Sequence, residues 1–132
     1  MKKSLLFRLK KNDSGASIVE FAVIAMLLFA VLFGIIEFGW IFNGYITLTS
    51  AAQEGVRQAV VMKDVDEEEI RNIVRTHARI FSHDSLTIDI NPATYGGETE
   101  VIVIGDLDLL IAFPPLPQSI RLTTNATMRQ EQ

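Results

Sequence analysis

The sequence predicts an α+β protein. A long N-terminal transmembrane helix continues into a small head with a second helix and a three-stranded antiparallel sheet. Three observations predict this. Phe21 to Ile36 is a run of sixteen residues without a polar side chain. Ile70, Ile73, Val74, His77, Ala78 and Phe81 recur at the spacing of one helix face. Beyond residue 85, apolar and polar side chains alternate in three stretches separated by proline- and glycine-containing breaks.

The chain is 132 residues long, enough for one small domain plus a membrane segment. Its mean hydropathy is +0.27, too high for a disordered chain. It has no cysteine, so disulfide scaffolds, thiolate zinc sites, iron–sulfur clusters and cysteine nucleophiles are excluded. The net charge of −4 averages two unlike regions. Lys2, Lys3, Arg8, Lys10 and Lys11 stand against Asp13 alone, and the rest of the chain is strongly acidic. A basic tip on an acidic body is a topology signal. Nucleic-acid binding needs a basic face on the folded domain, which this body lacks.

With Glu37 allowed, the apolar stretch extends from Phe21 to Phe42. As a helix that is about 33 Å at about 1.5 Å per residue, enough for a hydrocarbon core of about 30 Å. Trp40 and Tyr45 fall where an interfacial aromatic belt lies. The basic residues precede the span, which places the N-terminus in the cytoplasm and the head outside that membrane. A secretory signal peptide fits less well. Its apolar region is shorter and ends in small residues, whereas this run leads into Glu37-Phe38-Gly39-Trp40. Nor is the remaining chain large enough to surround an all-apolar helix in a soluble core.

Helical spacing persists through Ile41, Tyr45, Leu48, Ala52, Val56, Ala59 and Val60, so the stem continues to about residue 62 with one face left to cover the head. Asp64 or Asp66 can cap a second helix. Asp66 and Glu69 have capping-box spacing, and Glu67 to Glu69 suit an N-terminal dipole. The first strand turns Leu86, Ile88 and Ile90 one way. The second turns Val101, Val103, Leu107, Leu109, Ile111 and Phe113 to one face, with Gly105 as a bulge. The third turns Ile120, Leu122, Ala126 and Met128 to one face. A meander packed on helices is the simplest architecture. The expected division is a basic leader over 1–15, a membrane helix over 16–43, its continuation over 44–62 and the head over 63–132.

At the membrane edge the sequence reads Lys10-Lys11-Asn12-Asp13-Ser14-Gly15-Ala16-Ser17-Ile18-Val19-Glu20-Phe21. By position alone, Glu20 is equally an interfacial carboxylate favoured by the helix dipole. A basic leader ending in glycine, with glutamate five residues on at the start of an apolar run, resembles the class III signal of type IV pilin-like precursors. Further along, Gly34-Ile35-Ile36-Glu37-Phe38-Gly39, Asn43 and Ala51-Ala52-Gln53-Glu54-Gly55-Val56-Arg57-Gln58-Ala59 resemble the TadE-like family of tight-adherence pilus systems, as does the ending Ala126 to Glu131. Gln53 stands where arginine is common in that family. The resemblance is strong over residues 14–62 and loose beyond.

The resemblance implies a pilin-like fold in the bacterial inner membrane and a role in pilus biogenesis or adhesion. It implies cleavage between Gly15 and Ala16 by a prepilin peptidase, with Glu20, followed by the aromatic Phe21, pairing with a neighbouring subunit's N-terminal amine. Its implied partners are that peptidase, other pilins or pseudopilins, the inner-membrane assembly machinery and membrane lipid. Glu37 reads as a hydrated or snorkelling carboxylate, with a specific contact as the alternative. Gly34, Gly39 and Gly44 recur every five residues, unlike the GxxxG dimer spacing, and permit a bend or close packing.

Little in the sequence points to catalysis, a metal or a cofactor. His77 and His83 are six apart and share no helix face; no HExxH, phosphate loop or nucleophile elbow exists. Asp64 to Glu69 lacks the calcium-loop glycine. Asp106 and Asp108 share a strand face and read as exposed aspartates, with a paired-carboxylate site as the alternative. An unprocessed membrane-anchored binding module is the competing reading of the whole chain, and a tethered enzyme the third.

Overall fold

The computed structural model describes residues 13–61, 66–92, 97–111 and 117–129. The chain divides into two compact units, one ending at Ile35 and the other spanning Ile36–Gln132. Helix α1 covers Asp13–Val61 and runs through the boundary. The second unit adds α2 (Glu67–His77) and the strands β1 (Leu86–Asn91), β2 (Glu98–Asp108) and β3 (Ser119–Arg129). The predicted α+β class, with a second helix and a three-stranded antiparallel sheet in the order β1-β2-β3, is the observed one.

In the first unit every described side chain from Ala16 to Ile35 is exposed or, at Ala25, half-exposed. Leu27, Leu28, Phe29, Leu32 and Phe33 all lie open. Among the described residues they meet one another locally, as in the Phe29–Phe33 ring pair with centroids 6.1 Å apart. Such a helix is stable in water only when something apolar covers it.

In the second unit the core forms where one face of α1 meets the sheet. Leu48, Ala51, Ala52 and Val56 are fully buried there, at the 3–4 residue spacing that keeps side chains on one face. The sheet answers with rows set by its register: Ile88, Val103 and Thr124 in one, Ile90, Val101 and Ala126 in the next. Two glycines set how closely the elements approach α1. A β-carbon on Gly44 would lie 2.6 Å from a Leu107 methyl, and one on Gly55 would lie 2.6 Å from a Val74 methyl. Sequence periodicity had pointed to Tyr45 on this face. Tyr45 is exposed, and the space it would need belongs to the neighbours of Gly44.

Helix α2 begins as its sequence requires. The Asp66 carboxylate accepts from the Glu68 amide, three glutamates fill the first turn, and Ile70 and Val74 are buried. It stops at His77, earlier than the apolar spacing suggests. Ala78 leaves the helical region, Arg79 Nε donates to the Thr76 carbonyl, and His77 is exposed beside the Ile73 carbonyl. Ending there swings Phe81 over the sheet. Arg71, expected on the open side of α2, reaches from it to the Ile88 carbonyl of β1.

The expected bulge at Gly105 is absent. Pairing runs unbroken through Leu86↔Gly105 and Gly105↔Leu122. The glycine serves packing: a β-carbon there would come within 2.7 Å of the Phe81 ring. Met128, expected to face the core, is exposed at the end of β3. The second strand ends at Asp108 instead of continuing through Leu109 and Ile111; Phe113 lies outside the described residues.

Candidate functional site

The residues singled out from sequence fall into two groups on α1. Gly15, Ala16, Glu20 and Phe21 occupy its first turns. All four are exposed, and no side chain packs within reach of a β-carbon on Gly15. The basic residues before them lie outside the described residues. Gly15 lies near the first described residue of α1, and glycine costs a helix about 1 kcal/mol relative to alanine. One turn further on, Glu20 is an exposed carboxylate at the edge of an exposed apolar surface. Among the described residues, Glu20 and Phe21 are covered by no other element.

The second group lies one turn before the head packs on α1. Glu37 accepts two backbone hydrogen bonds, from the Leu110 amide to Oε1 and from the Ile111 amide to Oε2, each 3.0 Å long. Three residues on, Trp40 Nε1 donates to the Asp108 carbonyl at 3.0 Å. These contacts explain the end of β2. Successive amides of an extended strand point in opposite directions, so two consecutive amides aimed at one carboxylate are incompatible with a continuing ladder. The last ladder bond runs from the Leu109 amide to the Gln118 carbonyl at 2.9 Å. Gly34 and Gly39 face open space, unlike Gly44.

Sequence reasoning had left Glu37 a choice between a hydrated carboxylate and a specific contact. The contact is with the chain's own backbone. A signal was present: Glu37, Trp40, Gly44, Leu48, Ala51 and Gly55 follow one another at helical spacing, so the two polar groups share the face that carries the head.

Elsewhere the polar groups of the head hold one another. Arg121 stands opposite Asp106 in the register and donates to it through Nε at 2.9 Å and Nη2 at 3.2 Å. The hydrogen bond and the guanidinium charge hold the Asp106 carboxyl below its ordinary range and raise Arg121. Asp106 is thus tied to an arginine rather than coupled to Asp108. Asn125 donates to Glu100 across the sheet. Among the described residues, no three His, Asp or Glu side chains come together as a metal site. A shallow, open groove of about 610 Å³ runs between α1 and β3, lined by Gln53, Glu54, Arg57, Asn125 and Thr127 among others. Glu54 and Arg57 face each other at 3.7 Å along α1.

One stretch of α1 therefore carries both groups: the exposed apolar helix with Gly15 and Glu20 at its base, and the face on which the head is built. Residues 15–57 match the family model of TadE-like proteins. The TadE-like segment ends within α1, just past Gly55 and Val56, and leaves α2 and the sheet outside the match. No curated protein and no solved structure matches the chain. Among the described residues, one helix, Gly15–Val61, is long and apolar enough to cross a membrane; it contains the matched segment, and none of its most apolar window is buried.

Proposed function

We propose that this chain is a minor pilin or pseudopilin of a tight-adherence pilus system. It is a single-pass protein of the bacterial inner membrane, with a cytoplasmic N-terminus and a head on the other side. It works by assembly rather than by catalysis. The observation that carries the reading is the exposed apolar helix with Gly15 and Glu20 at its base, inside the stretch that matches TadE-like proteins.

On this reading a prepilin peptidase cuts between Gly15 and Ala16. The new amine at Ala16 and the carboxylate at Glu20 then lie one helical turn apart. When stems pack side by side in lipid, the Glu20 of one subunit pairs with the amine of the next. Leaving such a charge unpartnered in low dielectric costs about 3–5 kcal/mol, so the pair sets the register of docking. Other pilins or pseudopilins and the inner-membrane assembly machinery are the partners.

The test is the N-terminus of the protein purified from its native membrane, by mass and by sequencing. A chain beginning at Ala16 supports the pilin reading. An intact Met1 overturns it in favour of a permanently anchored binding module. Glu20→Ala should separate processing from docking; normal processing together with normal incorporation into the assembly would remove the role assigned to Glu20.

A further inference from the structure

From the hydrogen-bond phase of the sheet, we infer that the free edge of β3 takes up an extended segment of a different protein chain as a fourth strand. In an antiparallel ladder, residues that bond across the pair alternate with residues whose amide and carbonyl point away from it. The Leu109 amide bonds to the Gln118 carbonyl. Counted by twos along the register, Ile120, Leu122, Thr124 and Ala126 then turn their main-chain groups to β2. Arg121, Thr123, Asn125 and Thr127 turn theirs outward. The same phase turns the Ile88 carbonyl of β1 outward at the opposite edge, and there Arg71 of α2 reaches it.

The two edges are therefore treated differently. β1 is six residues long and meets α2 through Arg71. β3 is eleven residues long, and among the described residues its outward main-chain groups have no partner. Proteins protect such an edge with proline, lysine, a bulge or an inward charge. Ser119–Arg129 has no proline or lysine, pairs with β2 without a bulge and turns no charged side chain inward. The groove between α1 and β3 opens at this edge. Its β3 wall includes side chains from both faces of the strand, Asn125 and Thr127 from one, Ala126 and Met128 from the other. Its α1 wall is polar, with Gln53, Glu54 and Arg57. Four strand residues occupy about 13 Å, at about 3.3 Å each. An added strand running there bonds through its backbone to β3 and turns polar side chains toward α1.

The added strand comes from another kind of chain. Antiparallel pairing of β3 with β3 of a second copy requires a two-fold axis normal to the sheet. That axis reverses α1, which lies against the sheet face through Leu48 and Val56, so the two stems cannot start from one membrane. Only this step takes α1 as a membrane span. Cleavage after Gly15 plays no part, and an intact Met1 leaves the inference standing.

The test is amide exchange of the full-length protein, read residue by residue by mass spectrometry, in its native membrane and after purification in detergent. In detergent, Thr123, Asn125 and Thr127 should exchange several-fold faster than Leu122, Thr124 and Ala126. In the native membrane that alternation should disappear. Thr123→Pro removes an outward amide and no ladder donor. It should leave unfolding in detergent nearly unchanged and restore fast exchange at Asn125 and Thr127 in the membrane. Thr124→Pro removes a ladder donor and should destabilise the head. Alternation that persists in the native membrane would overturn the inference, and so would a Thr123→Pro head as unstable as Thr124→Pro. Protection regained in pure phospholipid vesicles, or carried into detergent by a dimer of the chain, would overturn it in favour of lipid or of a second copy.

Discussion

Gly55 offers a change whose sign depends on one neighbour. In an open helix, glycine to alanine stabilises by about 1 kcal/mol. At Gly55 the new methyl would lie 2.6 Å from Val74 Cγ2, with Val101 at 3.5 Å and Ile70 at 3.8 Å. Val74 is fully buried in α2, and a helical valine has one strongly preferred rotamer, so its methyl cannot swing aside. Relief requires α2 to shift from α1, and overpacking of this kind costs about 1–3 kcal/mol. Gly55→Ala is therefore expected to destabilise the head by about 1 kcal/mol net of the helix gain. Val74→Ala alone should cost about 2 kcal/mol for two buried methyl groups. In the Val74→Ala background the added methyl enters the vacated space, and Gly55→Ala should turn stabilising. The assay is urea unfolding of the full chain in detergent, followed through Trp40, the single tryptophan, whose indole is bonded to the Asp108 carbonyl. Equal effects of Gly55→Ala in the two backgrounds would refute the contact between α1 and α2 as described.

Gly105→Ala should destabilise by about 1–3 kcal/mol, because the Phe81 ring lies in the way, and Phe81→Leu should recover part of the loss in the same unfolding assay. Asp106 has its folded pKa held below the ordinary value of 3.8, so its contribution is present above that value and fades as pH falls through the folded one. Stability measured against pH should lose less on the acid side in Asp106→Asn than in the parent, and the difference should shrink in high salt because the pair is exposed. Thr124→Val should change stability by less than about 1 kcal/mol: it removes a 3.3 Å contact to Thr49, whose hydroxyl still donates to the Tyr45 carbonyl at 2.9 Å. A larger loss in a thermal melt would mean that the Thr124 hydroxyl has a second role.

The sequence by itself determined the pieces whose physics is local. The apolar run of α1 follows from composition and length, the start of α2 from Asp66 and the glutamates after it, and the three strands from alternation. The positions of Gly15 and Glu20 on one helix were equally legible, and the roles proposed for them await the N-terminal test. The tertiary structure decided whatever depends on a neighbour distant in sequence. A glycine in a strand reads the same whether it makes a bulge or lies under an aromatic ring, and only Phe81 resolves Gly105. The apolar alternation past Asp108 reads as more strand until the Leu110 and Ile111 amides are seen to turn together toward Glu37. Glu37 itself reads as a stray charge at the end of an apolar run. Its partners are backbone amides more than seventy residues away, and an amide carries no mark in the sequence of what it will bond.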